Sequence, residues 1–92
     1  MRRLEIVANR SVEEDLFQEL QSREVGSYYT RIDDVSGVGT SGPRQGDHIW
    51  PEINFLLIIY CDEAEAAGVR AAVAAVKERF TDEGVKLFEL GP

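Results

Sequence analysis

Near the N-terminus, Leu4, Ile6 and Ala8 alternate with Arg3, Glu5 and Val7, a two-residue period that predicts a strand over residues 2–9. The period then lengthens. In SVEEDLFQELQSREVG (residues 11–26), Val12, Leu16, Phe17 and Leu20 line one stripe of a helix. Ser11 and Glu14 have the spacing of a capping box, in which hydroxyl and carboxylate each satisfy a free backbone N–H. Glu13, Glu14 and Asp15 suit the positive end of that helix, and Gly26 closes the unit. SYYTRIDDV (27–35) is aromatic and β-branched, which predicts a second strand. INFLLIIYC (53–61) is apolar at nearly every position and predicts a third strand, covered on both faces. DEAEAAGVRAAVAAVKERF (62–80) opens with Asp62 and Glu65 as a cap pair. Its Val69, Val73, Val76 and Phe80 then recur at the spacing of a helix core face. GVKLFEL (84–90) predicts a last short strand.

The order β-α-β-β-α-β is the ferredoxin-like split βαβ arrangement, an α+β fold with four antiparallel strands and two helices on one face. The whole chain, 1–92, is expected to form this single domain. The first and third strands then lie in the middle. One face of the third strand meets the helices; the other carries Leu56, Ile58 and Tyr60, or the residues that alternate with them, with Val7 beside them. A bare sheet face of that kind is an exposed apolar patch of a size soluble monomers rarely keep, so it is expected to meet another subunit. Closed cyclic symmetry is the default for such assemblies.

Composition narrows the function. Ten Lys and Arg stand against 17 Asp and Glu, a net charge of −7, and the cations are scattered along the chain. Such a chain repels a phosphodiester backbone, so no nucleic-acid partner is expected. A single cysteine, Cys61 at the end of an apolar run, excludes an internal disulfide and reads as a buried structural thiol. No secretory leader and no run near the ~20 apolar residues of a membrane span is evident, so the expected location is the cytoplasm, without membrane insertion. No Walker loop, nucleophile elbow or H-E-x-x-H motif occurs, and the acids cluster at helix starts; enzymatic activity is not expected.

Between the second and third strands lies SGVGTSGPRQGDHIWPE (36–52), with half of the eight glycines, the one His, the one Trp and two of the three prolines. A connection of this length in a small domain is usually functional or disordered. Gly37, Gly39, Gly42 and Gly46 either permit turns with positive φ or leave backbone N–H groups open to an anion. Arg44, the one Lys or Arg between Arg31 and Arg70, suits a carboxylate or phosphate, or a pairing with Asp47. His48 beside Asp47 is a plain loop histidine or one ligand of a metal shared between subunits, since a structural zinc site takes four. Trp50-Pro51 either anchors the return of the loop or offers an aromatic hot spot to a partner.

The strand order, the position of this long loop and its opening VSGVG (35–39) together resemble the nitrogen-regulatory PII family, and especially its small PII-like homologues. The resemblance spans essentially the whole chain in topology. It implies a homotrimer whose sheets face one another around a threefold axis. It further implies an adenine nucleotide (ATP, ADP or AMP) as effector in the clefts between subunits, and a loop that contacts a regulated transporter or enzyme. On this resemblance Gly37 and Gly39 match the family's phosphate-approaching glycines, and Gly84 and Lys86 its turn before the last strand. With Arg44 they make the anion-binding set, while Gly42, Pro43, Gly46, Asp47, His48 and Trp50 make the partner-contacting tip. The chain departs from the family in having no tyrosine or lysine in the loop and no arginine-bearing segment after the last strand. A CutA-like divalent-metal-binding trimer on the same fold, and a ligand-independent adaptor, are the alternatives.

Overall fold

The computed structural model describes residues 1–39, 42–44 and 53–91, with residues 38–39 and 42–44 described through their backbone. Strand β1 runs Arg2–Asn9, and its alternation is a division between two faces: Leu4, Ile6 and Ala8 are buried, while Arg3, Glu5 and Val7 are partly covered. A single 3-10 turn, Arg10–Val12, leads into helix α1, Glu13–Ser22. Here the structure corrects the expected capping box. The Asn9 side chain accepts a hydrogen bond from the Ser11 N–H at 2.9 Å, so an Asx-type turn one step earlier takes over the capping. Val12 stands at the N-cap of α1 with no side-chain cap bond. Helix α1 ends where the Glu24 N–H bonds the Gln21 carbonyl and the Val25 N–H that of Leu20, the paired bonds of a Schellman motif.

Strand β2 is Thr30–Val35, shorter than expected: Tyr28 and Tyr29 precede the ladder, and Tyr29 packs on Phe17 with ring centroids 5.3 Å apart. Residues 37–39 and 42–44 of the expected loop are strands. Strands β3 (Gly37–Gly39) and β4 (Gly42–Arg44) form a separate two-stranded hairpin. Strand β5 spans Asn54–Cys61, helix α2 Glu63–Arg79 and strand β6 Val85–Leu90. The Asp62 carboxylate accepts from the Glu65 N–H at 2.8 Å, as the cap pair requires. The Glu65 carboxylate instead accepts from the Gly26 N–H at 2.9 Å, tying the α1–β2 connection to the start of α2.

The main sheet has the order β2-β5-β1-β6, every neighbouring pair antiparallel, with β1 and β5 in the middle as the split βαβ pattern demands. On the helix side Leu4, Ile6, Phe55, Leu57 and Ile59 meet Leu16 and Leu20 of α1 and Val69, Val73 and Val76 of α2 in one core cluster. Truncating any of the large members to alanine should cost about 2–5 kcal/mol. Cys61 is buried in this cluster; desolvation, with Glu65, Asp62 and Glu63 nearby, pushes its thiol up. At the end of the sheet where β1 begins, Arg70 bonds Glu63 at 2.6 Å and Glu89 at 2.9 Å, and Arg2 lies 2.5 Å from Glu63. The second face of the sheet is open. Ile32, Leu56, Val7 and Lys86 form one rung across its four strands, with Thr30, Ile58, Glu5 and Phe88 forming the next. No helix among the described residues is long and apolar enough to cross a membrane.

Candidate functional site

The candidate site is the mouth from which the 36–53 segment leaves and returns. Strand β2 departs from regular pairing just before it: the register shifts between Ile32 and Val35, and Asp34 sits in the left-handed region at φ 55°. The bulge turns Asp33 and Asp34 outward, where both are exposed. Two arginines hold them. Arg31 grips Glu13 through both guanidinium branches, at 2.6 and 3.0 Å, and reaches Asp33 at 3.3 Å. Its guanidinium also lies 5.3 Å from the centre of the Phe55 ring. Arg10 approaches Asp33 at 3.9 Å and Asp34 at 3.8 Å. Its own N–H donates to the Ile53 carbonyl at 2.9 Å, on the returning side of the segment.

These contacts have electrostatic consequences. Partial desolvation works to raise Asp33, but the hydrogen bond and charge of Arg31, with Arg10 behind it, hold its carboxyl below the ordinary value. The hydrogen bond it donates to Glu13 holds the Arg31 guanidinium the more firmly protonated. The mouth is therefore an ion-pair lattice. Its five members come from two stretches distant in sequence, 10–13 and 31–34, in three elements, and nothing in the local pattern marks them as one group.

Beyond the mouth, the hairpin pairs Gly37 with Arg44, Val38 with Pro43 and Gly39 with Gly42. Gly37 and Arg44 of the expected anion-binding set are thus cross-strand partners. Gly37 does not have the positive φ that a turn would have required, and a Cβ placed on it would meet nothing within 4 Å. Gly46, Asp47, His48 and Trp50 lie outside the described residues. Gly84, in the turn before β6, accepts from the Asn9 N–H at 3.0 Å, and a Cβ there would also meet open space. Val35, Asn54, Asn9 and Gly84 consequently mark one end of the sheet from edge to edge. Lys86 stands two residues into β6, exposed, in register with Val7 on the open face. Gly37 lies in the hairpin that follows edge strand β2, and Lys86 on the opposite edge strand, β6. The three strand spacings between β2 and β6 put roughly 14 Å between those two edges within one protomer. Among the described residues, no group of three His, Cys, Asp or Glu could hold a metal ion.

The architecture is that of the PII-like nitrogen regulatory proteins. The structures that carry this likeness are of CPII, described as a nitrogen regulatory PII-like protein, from Thiomonas intermedia K12. CPII bound to ADP and bicarbonate superimposes with a TM-score of 0.72 and 19% identity, over 97% of this chain and 82% of that one. CPII bound to ADP, AMP and acetate gives 0.66 and 18%, over 99% and 88%. CPII bound to ADP, AMP and bicarbonate gives 0.64 and 18%, over 97% and 84%. At such identity the fold is what is shared. No protein-family model and no curated protein sequence matches the chain.

Proposed function

We propose that this chain is a PII-like regulatory module, a homotrimer that binds an adenine nucleotide in the clefts between its subunits. Through residues 38–52 it would signal the bound state to a transporter or enzyme. The observation that carries the reading is the superposition on ADP-bound CPII over 97% of the chain. Three features of the chain support it. The open sheet face asks for a second surface to cover it. Gly37 is neither crowded nor at positive φ, so its missing side chain leaves room for something from outside the protomer. Gly37, in the hairpin that follows edge strand β2, and Lys86, on the opposite edge strand β6, would come together only when the edges of two protomers meet, which is where a cleft site draws on both.

In this reading the backbone of Gly37 and Gly39 receives the phosphates, Lys86 and Arg44 supply positive charge, and no residue has a catalytic role. Residues Gly42, Pro43, Gly46, Asp47, His48 and Trp50 form the surface offered to the partner. Titration calorimetry with ATP, ADP and AMP, with and without bicarbonate, tests the ligand class. Saturable heat with at least one nucleotide is expected, and no heat with any of them at millimolar concentration would contradict the proposal.

A further inference from the structure

The two edges of the open sheet face differ in shape. On the β6 edge, Phe88 and Leu90 stand out, 53% and 52% exposed. On the β2–β5 side lies a hollow of about 250 Å³ lined by Tyr28, Tyr29, Thr30, Ile58 and Tyr60. That is smaller than the roughly 300–1,000 Å³ of a small-molecule pocket and closer to the size of an inserted side chain. Register sets both features at one height. Thr30, Ile58, Glu5 and Phe88 share a rung of the sheet, and Tyr60, Arg3 and Leu90 share the next.

We infer that Phe88 and Leu90 of one copy of this chain seat in the tyrosine-lined hollow of a second copy, in a head-to-tail contact. This rests on the ring assembly proposed above and names the residues that close it. A head-to-tail contact propagates, and it makes a ring or a filament according to whether each step carries a rise. Projection and hollow on the same rungs require no rise along the strands, which favours a ring.

Charge points to an identical copy as the occupant. Between the two features, β1 presents Arg3 and Glu5, bonded to each other at 2.8 Å, and Arg3 also donates to the Tyr60 hydroxyl at 2.7 Å. On these two rungs the face thus cancels its charge within each protomer. Identical surfaces can approach without like charges opposed, and a partner of opposite charge gains nothing there. A hydrogen-bonded pair of this kind can also be enclosed without leaving a lone charge buried.

Two arginine substitutions at exposed positions test the contact: Phe88→Arg removes the projection and Thr30→Arg fills the hollow. Sedimentation velocity should show the wild type assembled and each variant monomeric, a weakening of about thirtyfold or more, as for an interface hot spot. Mixed together, the two variants should form a 1:1 heterodimer and stop there. The intact Phe88 of one enters the intact hollow of the other, and the two arginine-bearing ends repel. Phe88→Ser, which adds no charge, should reproduce the loss of assembly, and far-UV circular dichroism confirms that each variant is folded. A monomeric wild type would overturn the ring assembly and this contact together. An assembled wild type whose folded variants also assemble would overturn the contact alone, as would monomeric variants that give no heterodimer.

Discussion

Glu24 and Gly68 illustrate how single residues are constrained from opposite directions. Glu24 occupies the left-handed position that ends α1, at φ 55°, where most chains place glycine. Glycine has no Cβ to clash there, so Glu24→Gly should stabilise the fold by about 0.5–1 kcal/mol, read as a rise in Tm. Gly68 is the reverse case. It lies inside α2, where alanine would ordinarily gain about 1 kcal/mol of helix propensity. A Cβ there would fall 2.6 Å from Cγ1 of Val25, which is itself packed against the core. Overpacking typically costs about 1–3 kcal/mol, so the clash outweighs the propensity gain and Gly68→Ala should lower Tm. Adding Val25→Ala should recover part of the loss. Neither constraint is legible in the sequence. Local pattern placed Gly26 as the end of the first helical unit, whereas the turn itself is made by Glu24.

Among the elements, the strands and helices with strong periodicity were legible and the joints between them were not. The apolar run of β5 and the valine spacing of α2 identify their own burial, and the strand order follows from them. The β3–β4 hairpin gives no such signal, because glycine and proline at four of its six positions carry no alternation. The start of α1 was misread because Ser11 has the right spacing for a capping box while Asn9 is closer to the turn that forms. Of the candidate site, the segment was readable, but the pairing of Gly37 with Arg44 and the Arg10, Glu13, Arg31, Asp33 and Asp34 lattice depend on contacts that local pattern does not show. Arg31→Met should therefore loosen the mouth, seen as faster amide exchange in β2 while exchange in α2 is unchanged.

Acid stability belongs to the same scale. Glu63 is held below its ordinary value of 4.5 chiefly by the Arg70 hydrogen bond, and Glu19 below the same value chiefly by that from Arg23. A carboxyl whose folded pKa is depressed adds stability above its unfolded pKa and loses it as pH falls through the folded one. Tm should accordingly be flat above about pH 5 and fall below it. Arg70→Gln should flatten part of that fall, since Glu63 then returns toward its ordinary value. The effect should be modest because these pairs face solvent.

At the scale of the whole molecule, a 92-residue chain has a small core and one sheet face without helices. That face was foreseeable from the doubly apolar β5. Which residues project and which recede was not, because that depends on register across four strands. The proposed regulatory trimer accounts for the open face, for the uncrowded Gly37, and for anion-binding candidates that one protomer keeps apart, Gly37 after edge strand β2 and Lys86 on edge strand β6. Native mass spectrometry of the chain with ADP tests this most directly, because one spectrum reports both the number of copies and the number of ligands. The account predicts three copies of the 10.3 kDa chain carrying up to three ADP, the count rising to saturation with concentration. A monomer, or a trimer that stays free of ADP at millimolar nucleotide, would contradict it.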